Sequence, residues 1–261
     1  MTDRPPARWS DLRRFTPARV GLGRAGNGLP TAAHLDFLAA HAAARDAVHA
    51  ALDVAALRAA LAPLGLPSVA VHSAAADRQT FLLRPDLGRR LLSSDRALLP
   101  VSPGTILFVV CDGLSALAVQ QHAPALLRAL LPRLDCAVAP VVVAEQGRVA
   151  LGDEIGEVMQ AAAVVVLIGE RPGLTAADSL GAYLTWQPLR GRTDAERNCI
   201  SNIRPDGLAP HAAASKLLWL IAEMRRLRLT GIALKDEQAI DAVSLPAEAG
   251  TEQNTYPGGP P

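Results

Sequence analysis

The feature of this sequence that most constrains its fold is a short, wholly apolar run that ends at a tight polar turn before a helical pattern. Residues 106–110 form such a run, Asp-Gly-Leu-Ser at 112–115 provides the turn, and a helical stretch extends to Leu131. The apolar run at 164–168 likewise ends in a polar turn, Gly-Glu-Arg-Pro-Gly at 169–173. Strands that are apolar throughout are buried on both faces, and strands that alternate with helices build parallel sheets. The sequence therefore predicts an α/β fold with a parallel, doubly wound sheet and flanking helices.

The rest of the chain supplies the other elements of such a fold. Parallel sheets bind ligands beyond the carboxyl ends of their strands, so both polar turns lie where a ligand is expected. The first hundred residues instead predict helices and loops, with Thr31 and Asp53 as helix N-caps. Further strands are predicted at 68–71, 137–144 and 181–186, helices at 31–52, 153–161 and 211–229, and a polar loop at 190–206.

Length, charge and hydropathy limit the partners of the chain. The 261 residues are 50% apolar and carry a formal net charge of +1, which indicates no surface for a polyanion. The start lacks the apolar stretch of a signal peptide, and no run approaches the roughly 20 apolar residues of a membrane span. We therefore expect an intracellular protein without a nucleic-acid or membrane partner. The end of the chain, residues 237–261, predicts a disordered tail.

A literal G-x-G-x-x-G motif occurs at residues 21–26. Such a motif binds a dinucleotide when it joins a strand to a helix. Residues 15–19 make a poor strand, however, and residues 27–30 separate the motif from the next helix, so phosphates would find no adjacent helix N-terminus. The motif favours an arm that packs on the body or on a partner, and a dinucleotide oxidoreductase is the third hypothesis.

The cysteines and histidines predict no metal site. Cys111, Cys136 and Cys199 are widely spaced, with no C-x-x-C pair, and the six histidines contain no i, i+4 ligand pair. Cys111 and Cys136 are expected to be small buried hydrophobic residues. Hydrolase-elbow, zinc-protease and P-loop motifs are also absent from the sequence.

The two polar turns are candidate ligand sites. Ser115 is expected to cap the helix that follows, and Asp112 to accept a hydrogen bond from a ligand or partner; an ordinary βα turn explains both residues equally well. Glu170 and Arg171 emerge together from a buried strand between glycines that permit close backbone approach. Glu170 is expected either to accept hydrogen bonds from a ligand or to pair with Arg171 at the surface. The residues alone leave both alternatives open.

Seven segments, in the same order, resemble the small subunit of ethanolamine ammonia-lyase. The resemblance runs from residue 10 to 235 and includes the uncommon Gly-Glu-Arg-Pro-Gly at 169–173 and Asn-Cys-Ile-Ser-Asn at 198–202. It implies an adenosylcobalamin-dependent lyase that converts ethanolamine to acetaldehyde and ammonia by a radical mechanism. The residue pattern predicts an N-terminal arm and helical region (1–100), and the resemblance implies that the domain after it (101–236) is Rossmann-like and clamps the cofactor against a large barrel subunit. The other segments lie at 16–26, 84–91, 112–115, 147–149 and 153–157.

The resemblance implies three cobalamin contacts on this chain. Val149 is expected to pack on the corrin, Glu170 to accept hydrogen bonds from ribose hydroxyls or corrin amides, and Cys199 to offer backbone groups or a weak thiol contact. Family members keep dimethylbenzimidazole on the cobalt, which accounts for the absence here of the D-x-H-x-x-G motif of other cobalamin proteins.

The resemblance places the substrate-binding residues on the large subunit. No catalytic residue is therefore assigned to this chain, ethanolamine is expected to bind mainly to the large subunit, and activity is expected only in a hetero-oligomer of the two. The complex is expected in the cytoplasm, either free or packed into a bacterial microcompartment. A non-catalytic Rossmann-like binding or assembly module is the alternative, because a fold alone does not give a function.

Overall fold

A six-stranded mixed sheet organises residues 12–16 and 18–235, the part of the chain that the structure, a computed structural model, describes. The first four strands are parallel, whereas β5 runs antiparallel to β4 and β6 antiparallel to β5. The spatial order is β1-β3-β2-β4-β5-β6. The strands are β1 (Ser68–His72), β2 (Ile106–Cys111), β3 (Val141–Glu145), β4 (Ala163–Gly169), β5 (Leu180–Trp186) and β6 (Asn198–Ile203).

Helices flank this sheet, and polar side chains fix where several of them begin. Asp53 accepts a hydrogen bond from Ala56 N at 2.8 Å at the start of α2, and Asp77 accepts one from Thr80 N at 2.7 Å at the start of α3. Side-chain oxygens satisfy backbone N–H groups that have no partner within the helix. The helices are α1 (Thr31–His49), α2 (Val54–Leu61), α3 (Arg78–Leu83), α4 (Ala116–Leu130), α5 (Leu151–Met159) and α6 (Pro210–Leu227).

The core lies on both faces of the sheet. All residues of β2 and β4 are buried. Phe108 packs in the cluster that includes buried residues of α4 and α6, whereas Leu107 and Val109, which point to the other face, pack with those of α5. The predicted burial of these strands on both faces is confirmed, because period-2 alternation places successive side chains in two separate apolar layers.

The predicted α/β class with flanking helices and a helical N-terminal region is confirmed, but the sheet is not parallel throughout. Residues 170–179, which connect β4 to β5, contain no helix. Parallel neighbours need a long crossover, so this short connection returns the chain as an antiparallel strand. The predicted polar loop at 190–206 was wrong in part, because it contains β6. Strand β1, from within the first hundred residues, forms one edge of the same sheet. The predicted disordered tail at 237–261 lies outside the described residues.

The N-terminal region contains the least buried helix. In α1 only Ala44 and Ala47 are buried, while Leu35 and Leu38 are exposed. The glycine-rich motif at 21–26 precedes α1 in an irregular segment, and Arg19 donates a hydrogen bond to Leu174 O at 3.3 Å. In the described part of the chain no single helix is long and apolar enough to cross a membrane, although α1 and the segment Val54–Leu64 pass that test as a pair bent by 84°.

Candidate functional site

An open cavity lies beyond the carboxyl ends of β2, β3 and β4. Its volume is about 1040 Å³, which is at the upper end of the roughly 300–1,000 Å³ typical of small-molecule sites. Both polar turns predicted from the sequence contribute to it, through Gly113 and Leu114 after β2 and through residues 169–171 after β4. The other walls come from the segments 85–90, 148–150 and 190–194, together with Ile168, Tyr183 and Arg197.

Two glycines bring the turns after β2 and β4 into direct backbone contact. A Cβ on Gly113 would overlap Gly169 O, and a Cβ on Gly169 would overlap Ser115 O. Leu114 N donates to Gly169 O at 2.9 Å across the same contact. The backbone of Gly113 has φ 53°, in the left-handed region that favours glycine. The close backbone approach expected at these turns is therefore confirmed, and it forms the floor of the cavity.

Glu170 bonds to the end of β6 and to the start of β5. Its Oε2 accepts hydrogen bonds from Ser179 Oγ and, at 3.1 Å, from the backbone N–H of Asn202. Gly181 makes room for it, because a Cβ there would lie 3.0 Å from both Glu170 Oε1 and Tyr183 Cε2. The carboxylate is thus held towards β5 and β6 rather than towards Arg171, while it still lines the cavity.

Cys199 lies one strand further from the cavity, as the cross-strand neighbour of Tyr183. Tyr183 lines the cavity and Cys199 is exposed. Burial raises the pKa of the Tyr183 phenol, and the neighbouring Cys199 raises it further. Partial desolvation raises the pKa of the Cys199 thiol, although its side chain is exposed, and the neighbouring Tyr183 hydroxyl partly offsets that rise. Both groups are therefore protonated at neutral pH, and Tyr183 stands between Cys199 and Glu170.

Val149 lines the cavity beside Arg148, in the loop after β3. Val149 is half-buried and packs against the core layer below. Arg148 N donates to Gly88 O at 2.8 Å, and the guanidinium carbon of Arg148 lies 4.1 Å from the centre of the Phe81 ring. These contacts attach the loop to the segment 85–90, and they leave the apolar Val149 side chain at the cavity wall.

Asp112 is directed into the protein rather than into the cavity. Its side chain is 1% exposed; Oδ1 accepts from Gly147 N at 3.2 Å, and Oδ2 lies 3.5 Å from Arg78 Nη1. Burial raises the pKa of Asp112, and the charge of Arg78 opposes that rise. The hydrogen bond to a ligand considered for Asp112 is therefore not what this geometry favours. The expected cap is confirmed, because Ser115 Oγ accepts from Ala118 N at 3.3 Å.

Sequence reasoning missed several residues that complete the site. Glu170 is surrounded by Ser179, Tyr183 and Asn202. These residues reach it only because β5 and β6 return antiparallel to β4, and no local sequence pattern predicts that return. Arg148, the neighbour of Val149, was not predicted as a site residue, although an arginine at a strand end is itself a ligand signal. In the described residues, no group of three His, Cys, Asp or Glu side chains is placed to hold a metal ion.

The chain is similar over most of its length to proteins of one family. A family model described as ethanolamine ammonia-lyase light chain (EutC) matches residues 6–235. A protein named ethanolamine ammonia-lyase small subunit from Azotobacter vinelandii is 54% identical over 252 residues, 92% of this chain and 93% of the relative. Proteins with the same name from Xanthomonas campestris pv. campestris and Bradyrhizobium diazoefficiens are 54% and 57% identical, over 90% and 88% of this chain and 90% of each relative. The matched region contains all the cavity walls.

Proposed function

The chain belongs to the ethanolamine ammonia-lyase light-chain family, and from this premise we propose that it acts with a large subunit as an adenosylcobalamin-dependent lyase of ethanolamine. The observation that carries the proposal is the open cavity of about 1040 Å³, whose wall contains two of the three expected contact residues, Val149 and Glu170. The third, Cys199, is adjacent to the wall residue Tyr183. Ethanolamine itself is far smaller than this cavity, which supports a large cofactor as its occupant.

The chemistry of the cavity wall fits one face of a cobalamin. A corrin offers an apolar ring surface edged by amide groups, and it carries a nucleotide with ribose hydroxyls. Leu114, Val149 and Ile168 provide apolar contact, whereas the Glu170 carboxylate and the Tyr183 hydroxyl provide polar contact. The cavity is open to solvent on its far side, so a partner is needed to enclose a ligand there. When bound, adenosylcobalamin supplies the radical chemistry that starts the conversion of ethanolamine to acetaldehyde and ammonia.

The residues of this chain bind and orient the cofactor rather than react. Val149 packs against the corrin, and its loop is fixed by the contacts of Arg148 with Gly88 and Phe81. Glu170 is held by Ser179 and Asn202, so Oε1 is the oxygen that stays free to accept a hydrogen bond from a ribose hydroxyl or a corrin amide. Cys199 borders the same wall through Tyr183. The residues that bind the substrate are expected on the large subunit.

Reconstitution with the large subunit tests this proposal. The two chains are co-expressed, purified through a tag on the large subunit, and mixed with adenosylcobalamin and ethanolamine. We expect co-purification, a change in the visible absorption spectrum of the cofactor on binding, and release of acetaldehyde and ammonia. A complex that forms but neither binds the cofactor nor produces acetaldehyde would instead indicate a non-catalytic binding or assembly module.

A further inference from the structure

Three arginines lie beside the cavity, and two of them stack on one aromatic ring; we call them the arginine cluster: Arg78, Arg89 and Arg148. The guanidinium carbons of Arg78 and Arg148 lie 4.8 Å and 4.1 Å from the centre of the Phe81 ring. Arg148 and Arg89 line the cavity. Stacking on an aromatic ring fixes a guanidinium without neutralising it, so the cluster places fixed positive charge at the cavity wall.

Few carboxylates neutralise this charge. Asp112 lies 3.5 Å from Arg78 and is the acidic partner of the cluster, while the nearby Asp86 pairs with Arg84 at 2.7 Å. Arg89 forms no ion pair or side-chain hydrogen bond with the described residues. Burial lowers the pKa of Arg148, and the positive charges of Arg78 and Arg89 lower it further. Like charges held this close are unfavourable unless an anion offsets them.

Two donors of the cluster also lack acceptors. Arg78 Nη2 and Arg148 Nε are buried, and neither finds a hydrogen-bond partner among the described residues. The other guanidinium nitrogens of Arg78 are satisfied, since Nε donates to Val48 O at 2.6 Å and Nη1 to Gly113 O at 2.8 Å. A buried donor without an acceptor is costly. The positive charge at the cavity wall therefore indicates an anionic acceptor, and one of the two unpaired donors, Arg148 Nε, belongs to a guanidinium that lines the cavity.

We propose that Arg89 and Arg148, supported by Arg78, form a binding site for a phosphate-type oxyanion at the wall of the cavity. The planar guanidinium is suited to phosphate because it presents paired N–H donors to two oxygens. The oxyanion has two candidate sources. One is the phosphodiester in the nucleotide loop of cobalamin, and for this source the inference rests on the proposed function. Free inorganic phosphate is the other source of the same chemistry.

The test compares three corrinoids in the complex of both subunits, by titration followed through visible absorption. Adenosylcobalamin and adenosylcobinamide phosphate carry the phosphate group, and adenosylcobinamide lacks it. In Arg148→Gln and Arg89→Gln we expect the affinity for the two phosphate-bearing ligands to fall about ten- to a hundred-fold, as for loss of a charged hydrogen bond. The affinity for adenosylcobinamide is expected to be unchanged in Arg89→Gln. In Arg148→Gln it is expected to fall less than the affinity for the phosphate-bearing ligands, because loss of the stacking on Phe81 also loosens the loop of Val149. Arg128→Gln is the matched control, since Arg128 is exposed on α4 and does not line the cavity.

A second experiment tests whether the bound oxyanion is free inorganic phosphate. Inorganic phosphate is added to the same complexes, and the thermal midpoint is measured. A rise in the wild type that is absent from Arg148→Gln and Arg89→Gln, with equal corrinoid affinities in all variants, assigns the site to free phosphate. Because Arg89 is exposed, Arg89→Gln is expected to fold normally. It therefore provides the test if Arg148→Gln, at a more buried position, misfolds.

The inference is overturned if the variants lower the affinity for all three corrinoids equally, or change neither corrinoid affinity nor the response to phosphate. It is also overturned if they only weaken association with the large subunit, since the cluster would then serve a carboxylate of the partner. A wild-type complex that binds no corrinoid at all contradicts the proposed function instead, and the phosphate arm still decides whether the cluster binds an anion.

Discussion

At the scale of single residues, Glu170 is an expected cofactor contact whose own hydrogen-bond partners are defined. Its carboxylate accepts hydrogen bonds from Ser179 and Asn202 while it lines the cavity. Replacing it by Gln keeps the shape but removes the charge, and we expect the affinity of the complex for adenosylcobalamin to fall about ten- to a hundred-fold. Equilibrium titration of the cofactor measures this directly.

Ser179→Ala is the matched control for Glu170→Gln. It removes one hydrogen bond to the carboxylate but leaves the charge and the free oxygen Oε1 in place. The affinity is therefore expected to change much less than in Glu170→Gln. Equal losses in the two variants would mean that Glu170 acts by holding β5 and β6 in place rather than by contacting the cofactor.

Cys199 offers a test that depends on pH. Partial desolvation raises the pKa of its thiol above the ordinary value of 9.0, and only the thiolate is nucleophilic. Alkylation by iodoacetamide should therefore be slow at pH 7 and accelerate about tenfold per pH unit until the pH passes the pKa. The rate is followed by mass spectrometry in a Cys136→Ser background, in which the buried Cys111 stays unmodified.

Two further results make this test specific. The neighbouring Tyr183 hydroxyl lowers the pKa of Cys199, so Tyr183→Phe should slow alkylation at any pH below that pKa. In the complex, adenosylcobalamin should protect Cys199. Unchanged alkylation in the presence of saturating cofactor would remove Cys199 from the contact set.

At the scale of elements, the contact between the turns after β2 and β4 depends on glycine for two separate reasons. Gly113 has φ 53° and no space for a Cβ, whereas Gly104 has φ 74° and no atom within 4 Å of a Cβ. Gly104→Ala should therefore cost about 1–2 kcal/mol of unfolding free energy, the left-handed backbone penalty alone. Gly113→Ala should cost about 1–3 kcal/mol more, through overlap with Gly169 O. Urea denaturation measures both, and equal effects would contradict the close contact.

A buried ion pair joins α5 to the start of β6. Arg197 donates two hydrogen bonds to Asp153, at 2.6 and 2.7 Å, and the two side chains are 2% and 1% exposed. Burial raises the pKa of Asp153, and the hydrogen bonds from Arg197 oppose that rise. Asp153→Ala should lower the unfolding free energy by about 3–5 kcal/mol, because it leaves Arg197 buried without its main counter-charge. Glu223→Ala, which breaks the exposed pair with Arg226, should change it little; a comparable loss in both would refute this account.

The sequence predicted the elements that carry local signals and missed those defined by distant partners. Strands β2 and β4 are apolar throughout, so their burial and the turns that follow could be predicted. Strand β6 buries only Ile200 and Ile203, and its other residues are partly or fully exposed. Its sequence alone therefore predicts a loop, and only its pairing with β5 makes it a strand. For the same reason Glu170 could be placed at the sheet edge, but its partners Ser179 and Asn202 could not.

At the scale of the whole molecule, the described part of the chain forms one wall of a site. The cavity is bounded by strand ends on one side and is open on the other, and contacts within this chain hold Glu170 and Arg197 in its wall. Helix α1 likewise leaves Leu35 and Leu38 exposed. Enclosure of a large cofactor is therefore a property that we expect of the complex and not of this chain alone.

This expectation gives a thermodynamic test at the same scale. A ligand that binds only the folded assembly stabilises it, by about 2.7 kcal/mol at a free concentration of 100 times Kd. Adenosylcobalamin should therefore raise the thermal midpoint of the complex by several degrees, while the isolated chain should show no shift at the same concentration. Differential scanning calorimetry of the chain, of the large subunit and of the complex separates the contributions. An equal shift in the isolated chain would show that one wall suffices, and that enclosure by the large subunit serves the reaction rather than the retention of the cofactor.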